Sequence, residues 1–478
     1  MSGGRFSPDP VFSVRRAAEE QPDDVALLAA GEEIRWRELA ARVEVRAAAL
    51  FRRFGEVSPF GLVGTLDLET LVTVYAAIEI GAPVVLLHPR WTAVERGAYL
   101  RRLGLGDAVS TAELADSEVS ADAIDGVGEP APEDLLAVVA TSGSTAEPKG
   151  VALSRRAFAA SASAHGEHLG WAEEDRWLLS LPLAHVGGLS IVTRCLAARR
   201  TVVLPPAAER FDAEVVLRWI DTWRVTLLSV VPTMLRRLLE ARPGGAPESL
   251  RLVLVGGAPS PPGLLEEAAG RRWPVAATYG LTEACSQVAT QRPGDAERGL
   301  AGAALLPGVE GRIRQGVLQV RGPMLMSGYL PGEPNPWRLG AGLDDGGWLP
   351  TGDLARFDNG GRLHVLGRAD GVVISGGENV HPQEVEAALL AHPDVEAACV
   401  VGVDDAEWGQ VPAAALVLRE ARGEGEWGAV LDAFLRPRLA AFKIPRRWEV
   451  LPELPTTPSG KVDRRAVGSA LGDSAADP

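Results

Sequence analysis

Lysine is rare in this chain, and two of its three lysines lie in loops suited to phosphate chemistry. Of the 48 Lys and Arg residues, only Lys149, Lys443 and Lys461 are lysine. Lysine is a compact point charge that can contact one oxygen in a narrow site, whereas arginine is a planar fork. Lys149 lies in "TSGSTAEPKG" and Lys461 in "PTTPSGKVDRR". The pattern indicates a site for phosphate or carboxylate oxygens, although three lysines would also fall somewhere by chance.

The loop at residues 141–150 is the more specific of these two segments, and it follows the apolar run "LLAVVA". Consecutive hydroxyl and backbone N–H groups beside a cation can wrap a polyphosphate. The Walker pattern GxxxxGK[ST] is absent, so nucleotide binding of the P-loop type is not implied. An isolated Ser/Thr/Gly loop is most often only a loop, and the specificity comes from the whole pattern that ends in PKG.

Composition excludes several classes of function. The formal net charge is −15, with 63 acidic against 48 basic residues, which argues against a nucleic-acid partner because phosphate backbones require a positive surface. Cys195, Cys285 and Cys399 lie far apart without metal-binding spacing, and we expect buried thiols in a reducing compartment. The N-terminus shows no apolar signal region, and the longest uncharged run is interrupted by Pro, His and Gly. We therefore expect a cytoplasmic protein whose oligomeric state is open.

The elements that must position these loops divide the chain into two parts. Apolar strand patterns such as "RWLLSLP" alternate up to about residue 257 with helical patterns, among them "WRELAARVEVRAAALFRRF", "RRAFAASASAHGEHL", "AEVVLRWIDTW" and "PTMLRRLLEA". This alternation is typical of a parallel sheet covered on both faces. After about residue 300, short strands between Gly-rich turns predict an antiparallel or barrel-like subdomain. We predict an α/β fold with a large N-terminal domain of βα-alternating sheets, residues 1–369, and a small mobile α+β domain, residues 370–478.

A series of motifs resembles the adenylate-forming superfamily, which includes acyl-CoA synthetases, amino-acid adenylation domains and luciferases. They are, in chain order, "TSGSTAEPKG", "VGGAP", "YGLTEA", "TGD", "LGRADG", "ISGGEN" and "PTTPSGKVDRR". The resemblance implies an enzyme that uses ATP, Mg²⁺ and coenzyme A as co-substrate. The chain has Ala146 where family members usually carry Gly, and Ala adopts positive φ only at a cost.

The resemblance assigns most of these motifs to the nucleotide. The residues that would hold the phosphates are Thr141, Ser142, Gly143, Ser144, Thr145 and Lys149. The residues that would flank the adenine are Gly256, Gly257, Ala258 and Tyr279. Thr282 would contact the phosphate region and Glu283 would help to hold Mg²⁺. Asp353 and Arg368 would contact the ribose.

The remaining motifs would serve the two chemical steps. Lys461 resembles the lysine that contacts the carboxylate and the α-phosphate during adenylation, and Asp370 resembles the hinge residue between the domains. Gly376, Gly377 and Glu378 belong to the loop that would move in for the thioester step. Lys443 falls in the same C-terminal module. A role in the coenzyme A step and the absence of any functional role are both open for this residue.

The acid pocket has a less specific pattern. Amino-acid adenylation domains hold the substrate ammonium with an aspartate, but the equivalent stretch here, "LPLAHVGGLS", has no acid. His185 resembles the family's aromatic or His position beside the acyl group, and the following helix would add Gly188, Ser190 and Arg194. Ser190 and Arg194 share a helix face. If that face lines the pocket, Arg194 meets a second carboxylate of the substrate; if it faces solvent, Arg194 is an ordinary surface residue.

Within the superfamily, the stretches "DRWLLSLPLAHVGGLSIVTRCLAARRTVVL", "LVGGAPSPPGLLEEA" and "YGLTEACSQV" most resemble the o-succinylbenzoate–CoA ligases of menaquinone synthesis. The substrate of these ligases keeps one carboxylate free after the other is activated. Two alternatives stay open: a ligase for an aryl or fatty acid, and a catalytically silent homologue that binds a nucleotide or an acyl group. The presence of Lys461, Glu283 and Asp353 argues against the silent homologue. Free coenzyme A and a carrier protein are both open as the acceptor.

Overall fold

The computed structural model describes residues 10–29, 31–54, 57–115, 130–141, 148–206, 211–261, 263–331, 335, 337, 339, 342–375, 378–405, 408–419, 427–457 and 461–473. The α-helices of these residues are α1 (Val14–Glu20), α2 (Trp36–Phe54), α3 (Leu68–Ile80), α4 (Ala93–Arg102), α5 (Thr111–Ala115), α6 (Arg155–Leu169), α7 (Val186–Ala198), α8 (Ala213–Trp223), α9 (Pro232–Ala241), α10 (Leu264–Gly270), α11 (Pro382–Leu390), α12 (Trp427–Leu435) and α13 (Arg464–Asp473).

The strands of the described residues are β1 (Val25–Ala29), β2 (Glu32–Arg35), β3 (Phe60–Val63), β4 (Val84–Leu87), β5 (Leu135–Thr141), β6 (Lys149–Ser154), β7 (Arg176–Leu178), β8 (Thr201–Leu204), β9 (Leu227–Val230), β10 (Leu252–Val255), β11 (Val275–Leu281), β12 (Ser286–Thr290), β13 (Ala304–Leu305), β14 (Glu310–Arg314), β15 (Val317–Arg321), β16 (Gly328–Leu330), β17 (Leu349–Phe357), β18 (Leu363–Arg368), β19 (Val373–Ser375), β20 (Glu378–Val380), β21 (Val395–Asp405), β22 (Gly409–Leu418) and β23 (Arg447–Val450).

The largest sheet has nine strands in the order β13-β12-β11-β10-β9-β7-β8-β1-β2. Its six inner strands run parallel, from β11 to β1, and the flanking strands pair antiparallel with them. Strands β8, β9 and β10 are buried along their whole length, as expected for parallel strands that are covered on both faces. The predicted parallel βα region is thus confirmed for the inner strands, while the edges are antiparallel.

A second sheet of five strands, β16-β6-β5-β4-β3, carries the predicted phosphate loop. Strands β3, β4 and β5 are parallel, but β5 returns directly as its antiparallel neighbour β6. The loop therefore joins two paired strands, and no helix follows it as the βα pattern would have suggested. Its two ends are fixed by a continuous ladder, which holds the stem in one register.

Several helices begin and end where their sequence patterns predict, among them α2, α6, α8 and α9. Helix α6 starts at Ser154, whose hydroxyl oxygen accepts a hydrogen bond from the Ala157 N–H at 3.2 Å. This is the usual N-cap interaction. The helix ends at Gly170, which has φ +72°. Helices α6 and α7 pack against each other, and the faces between them hold the polar side chains described below.

The chain forms two compact units. The first comprises Met1–Gly257, Leu265–Glu310 and Val320–Leu349, and the second comprises Ala258–Leu264, Gly311–Gln319 and Pro350–Pro478. The second unit contains the antiparallel pair β17–β18 and a sheet of β20-β19-β22-β21 with β23 added. The strand–helix–strand pattern after Asp370 is confirmed by β19, β20, α11 and β21. The division at residue 370 as a hinge stays a prediction.

Among the described residues, none of the helices combines the length and the apolar character that a membrane span requires.

Candidate active site

The stem of the predicted phosphate loop brings Thr141 and Lys149 opposite each other in the β5–β6 ladder. The Thr141 hydroxyl donates to the Lys149 carbonyl oxygen at 3.5 Å. Lys149 is exposed, and its Nζ lies 5.5 Å from the centre of the Tyr329 ring, within the range of a cation–π contact. The predicted residues Ser142, Gly143, Ser144 and Thr145, and the unusual Ala146, lie outside the described residues.

Glu283 is anchored to the segment that follows β15. The Tyr329 hydroxyl donates to Glu283 Oε1 at 2.9 Å, and the Met326 N–H donates to the Glu283 carbonyl oxygen at 2.8 Å. Because Tyr329 also contacts Lys149, the predicted phosphate lysine and the predicted metal carboxylate share one aromatic neighbour. Tyr329 belongs to none of the recognised motifs, so sequence patterns did not indicate this role.

The carboxylate of Glu283 fits a magnesium ion that is brought in by the nucleotide. No group of three or more His, Cys, Asp or Glu side chains that could hold a metal occurs among the described residues. Mg²⁺ is usually held by one or two carboxylates together with substrate phosphates, with water completing an octahedron. A single Glu beside a phosphate loop is consistent with that chemistry, whereas a dedicated protein cage for the ion is not found in the described part of the chain.

The predicted adenine side is built from two closely approaching backbones. A Cβ at Gly256 would lie 2.5 Å from the Thr278 carbonyl oxygen, so only glycine fits there. Gly257 has φ +77°, a conformation that side chains disfavour. Tyr279 is half-buried on β11, and residues Thr282–Ala284 form a 3₁₀ turn after it. Ala258 is exposed.

The predicted acyl side begins at the N-terminus of α7. The His185 ring lies 5.2 Å from the His88 ring, centre to centre. A Cβ at Gly188 would lie 2.3 Å from the Pro182 carbonyl oxygen, so packing alone accounts for this glycine. The Ser190 hydroxyl donates to the Gly187 carbonyl oxygen at 2.9 Å, which is a bond within its own helix. His185 is half-buried, and Ser190 is buried.

Arg194 is a buried arginine, so the solvent-facing alternative is wrong. The residue is 2% exposed, and its Nη2 donates to Ser161 Oγ at 3.0 Å. Its Nε is buried without a hydrogen-bond partner in the described part of the chain. Burial lowers the pKa of Arg194 to about 10, a value that leaves the guanidinium charged at neutral pH.

Among the described residues, no negatively charged side chain compensates the charge of Arg194. Burial raises the pKa of the Cys195 and Cys285 thiols, which keeps both neutral. Burial, with Arg194 next in importance, lowers the pKa of His165 well below its usual value, so this ring is neutral too. No acidic residue contributes to the pKa of Arg194. A buried, uncompensated charge is costly, and perturbed buried charges of this kind are typical of functional sites.

A polar network that the sequence did not indicate lies beside this arginine. His165 Nδ1 and Gln287 Oε1 are 2.8 Å apart. Gln287 Nε2 donates to Thr290 Oγ1 at 2.9 Å and to Thr278 Oγ1 at 3.3 Å. His165 also stacks on Trp177 with ring centres 4.9 Å apart. The partners are more than a hundred residues apart in the chain, so no local pattern could have revealed them.

In the second unit, Asp353 and Arg368 are brought together as the predictions for the ribose require. They are cross-strand partners in the β17–β18 pair, and Arg368 Nη1 lies 3.5 Å from Asp353 Oδ1. The Asp353 N–H also donates to the Thr351 hydroxyl at 3.1 Å. Gly352, between Thr351 and Asp353 in β17, has φ +73°, and a Cβ there would lie 2.8 Å from Arg368 Nη2, so the close approach of the guanidinium requires glycine.

Lys461 lies on an exposed loop of the second unit. Its carbonyl oxygen accepts from the Thr457 N–H at 2.7 Å and from the Thr457 hydroxyl at 3.2 Å. Three residues later, Arg464 Nη2 pairs with Glu386 Oε1 at 2.7 Å and starts α13. These contacts fix the backbone on both sides of the lysine and leave its side chain exposed.

The residues predicted for the thioester step are described in part. Lys443 Nζ donates to both Glu384 carboxylate oxygens at 2.7 Å, so this lysine already has an acidic partner. Glu378 begins β20 and Asp370 lies in the 3₁₀ turn Ala369–Gly371. Gly376 and Gly377 lie outside the described residues.

Comparisons with known proteins follow the whole length of the chain. The sequence profile described as AMP-binding enzyme matches residues 14–330, and that of the AMP-binding enzyme C-terminal domain matches residues 384–461. A 2-succinylbenzoate–CoA ligase from Bacillus licheniformis is 35% identical, over 94% of this chain and 98% of its own length.

Solved structures give the same result. The o-succinylbenzoate coenzyme A synthetase from Bacillus subtilis, in complex with its acyl-adenylate intermediate, has a TM-score of 0.86 and 32% identity, covering 97% of this chain and 98% of that one. The same synthetase in complex with ATP and a magnesium ion has a TM-score of 0.83 and 33% identity, covering 96% and 99%.

Proposed function

The chain belongs to the AMP-binding enzyme family, and on this premise we propose that it is an AMP-forming ligase that joins o-succinylbenzoate to coenzyme A. The observation that carries the choice of acid is the buried Arg194, which has no acidic partner among the described residues. An acid with a second carboxylate would supply the missing negative charge. Relatives of similar length and fold are named for this same ligase activity.

The reaction has two halves. A carboxylate oxygen of the acid attacks the α-phosphorus of ATP, and pyrophosphate leaves to give the acyl-adenylate. The thiolate of coenzyme A then attacks the acyl carbon, and AMP leaves to give the thioester. The first half increases negative charge on phosphoryl oxygens, so the site needs cations aimed at them.

This chain's residues divide the first half-reaction between them. Lys149 and the loop it ends hold the phosphates, Thr282 contacts them, and Glu283 would help to hold a magnesium ion that neutralises their charge. Lys461 contacts the attacking carboxylate and the α-phosphate. Losing one preorganised donor of this kind typically costs about 2.7–4 kcal/mol of transition-state stabilisation, so Lys461 is the residue on which adenylation depends most.

The second carboxylate of the acid is bound by Arg194 in this proposal. A guanidinium offers a planar fork that matches a carboxylate, and burial strengthens the interaction because water is excluded. His185 and Ser190 flank the acyl group at the start of α7. An amino acid would place its ammonium near this buried cation, and the stretch "LPLAHVGGLS" supplies no acidic residue to pair with it, so we expect amino acids to be poor substrates.

The thioester step belongs to the second unit. Residues 370–478 would rotate about Asp370, so that the loop of Gly376, Gly377 and Glu378 replaces Lys461. Lys443 would assist there, in competition with its ion pair to Glu384. The cytoplasm is the proposed location, because ATP and coenzyme A are available there and the three buried cysteines are free thiols. Nucleic acid has no place in this reaction.

The test is ATP- and Mg²⁺-dependent AMP formation with coenzyme A across a panel of acids. The panel contains o-succinylbenzoate, benzoate, short and long fatty acids, and amino acids. Selective turnover of o-succinylbenzoate is the expected result. Selective turnover of another acid would support the ligase activity but show that the substrate is a different acid. No turnover of any acid despite ATP binding would contradict the proposal.

A further inference from the structure

The guanidinium of Arg194 is held by a single side chain of helix α6. Arg194 Nη2 donates to Ser161 Oγ at 3.0 Å, and Ser161 Oγ donates to the Cys285 carbonyl oxygen at 2.8 Å. A hydroxyl has one proton to give, and a carbonyl can only accept. The Ser161 proton is therefore committed to Cys285, which leaves the oxygen lone pairs to the guanidinium.

Because the hydrogen bond between Ser161 and Arg194 is buried, it sets the direction in which the guanidinium points. Ser161 and Arg194 are each 2% exposed, and Cys285 is fully buried. Within the described residues, Ser161 is the hydrogen-bond partner found for the guanidinium, and Nε has none. Fixing one N–H of a planar fork fixes the direction of the others, so Ser161 decides where the remaining donors point.

The same hydroxyl connects the acyl side to the motif that carries Glu283. Cys285 follows "YGLTEA" directly, has φ +49°, and donates its N–H to the Thr282 carbonyl oxygen at 3.2 Å. Ser161 thus links the Arg194 guanidinium to the backbone of the 3₁₀ turn at residues 282–284. A chain of hydrogen bonds therefore runs from the Arg194 guanidinium to the turn that carries the predicted phosphate and metal residues Thr282 and Glu283.

We propose that Ser161 is the positioning residue for acid specificity: it aims Arg194 at the free carboxylate of a dicarboxylic acid and holds it in register with the turn at residues 282–284. The inference rests on the proposed function, because it assumes that Arg194 binds the carboxylate that is not activated. Ser161 itself does not touch the acid. Its effect on turnover is therefore exerted through Arg194.

The chain offers a matched control on the neighbouring helix. Thr193 precedes Arg194, is 1% exposed, and its hydroxyl bonds to the Leu189 and Ser190 carbonyl oxygens of its own helix. Thr193→Ala deletes a buried hydroxyl next to the arginine without touching the guanidinium. Ser161→Ala deletes a buried hydroxyl that does touch it. Any difference in acid selectivity between the two variants therefore reports on the orientation of the Arg194 guanidinium.

The experiment measures the ratio of kcat/KM for o-succinylbenzoate to that for its two analogues that each lack one carboxylate, 4-oxo-4-phenylbutanoate and 2-butanoylbenzoate. Only the analogue that retains the carboxylate to be activated can be turned over. The ratio of kcat/KM for o-succinylbenzoate to that for this analogue measures the selectivity for the free carboxylate. We expect Ser161→Ala to lower this ratio about tenfold, the typical effect of losing a hydrogen bond to a charged group. Thr193→Ala leaves the ratio unchanged, and the KM for ATP stays constant in both.

A double-mutant cycle separates positioning from general damage. In an Arg194→Met background, Ser161→Ala has no further effect on the ratio if Ser161 acts through Arg194. If Ser161→Ala does not fold, Ser161→Cys, which weakens both hydrogen bonds, must lower the ratio instead.

Three results would overturn the inference alone: an unchanged ratio, an equal loss in Thr193→Ala, or a full effect without Arg194. A wild-type protein that does not turn over o-succinylbenzoate would refute the proposed function itself, and the inference with it.

Discussion

Arg194 and Lys461 are both cations assigned to one acid, but the structure holds them in different ways. Arg194 is 2% exposed between packed helices, with its guanidinium bonded to Ser161. Lys461 lies on an exposed loop of the second unit, where the Thr457 N–H donates to the Lys461 carbonyl oxygen and the Arg464 guanidinium donates to the Val400 carbonyl oxygen. The cation that we propose binds the acid is part of the interior, whereas the cation that we propose takes part in the reaction is on the surface.

The difference matches what each residue has to do. Selection between acids requires a preformed site whose donors do not move, and a close-packed interior supplies this rigidity. A cation needed in only one of two half-reactions must be removable, and only an exposed segment can leave without exposing a core. We therefore expect changes at Arg194 to alter which acid is used, and changes at Lys461 to alter which step occurs.

The largest expected effect is at Lys461. Lys461→Ala should slow acyl-adenylate formation by about 10²–10³-fold, because a preorganised donor is lost. Thioester formation from a synthetic acyl-adenylate should be unchanged, and so should the thermal midpoint. ATP–pyrophosphate exchange measures the first half-reaction, with the exposed Arg465→Ala as control. An equal loss in both half-reactions would erase the distinction between the two cations.

A smaller effect is expected from Arg194→Met. The kcat/KM for o-succinylbenzoate should fall by about 30-fold, equal to ~2 kcal/mol for a lost buried charge contact. The thermal midpoint should stay the same or rise, since replacing a buried charge by an apolar side chain of similar size is often neutral or stabilising. Lower stability with unchanged acid selectivity would show that this arginine is structural.

The predicted contact of Asp353 with the ribose gives a third test. Asp353→Asn should raise the KM for ATP by about tenfold, from the loss of ~1.5 kcal/mol in hydrogen bonding to a charged group, with the KM for the acid unchanged. Asp358→Asn is the matched control, because Asp358 accepts from Gly360, Arg362 and His364 in its own turn. Similar KM values for ATP in both variants would show that Asp353 does not contact the ribose.

The smallest expected effect concerns the interior beside Arg194. Burial lowers the pKa of His165 well below its unfolded value, so the folded protein binds fewer protons than the unfolded chain as pH falls below ~6.5. Neutral His165 therefore contributes to the free energy of unfolding above that pH. This contribution is lost as the pH falls, by at most about 1.4 kcal/mol per pH unit.

The measurement is urea unfolding at pH 7.5 and pH 5.5. His165→Gln should show a shallower decrease in the free energy of unfolding than the wild type, because the glutamine does not titrate. Equal slopes would mean that the histidine is not kept neutral in the fold.

Local patterns predicted much of the fold. Helices α2, α6, α8 and α9 match their apolar periodicity to the residue, because burying one face requires that spacing. The β5–β6 return was missed, since a strand followed by a Gly/Ser/Thr loop has the same local sequence whether a helix or a strand comes next. The run after Leu178 was also predicted as strand, but β7 ends there, and Pro182 cannot donate to a ladder.

The motifs determined the chemistry, because phosphate binding and metal binding need particular atoms close together along the chain. Tertiary structure alone decided whether Arg194 was a surface residue or a buried one, since residues of one helix face are placed by what packs against them. It also joined Tyr329 to Glu283, Ser161 to Arg194 and His165 to Gln287. Hydrogen bonds between residues distant in sequence leave no periodic trace, so only the folded chain could reveal them.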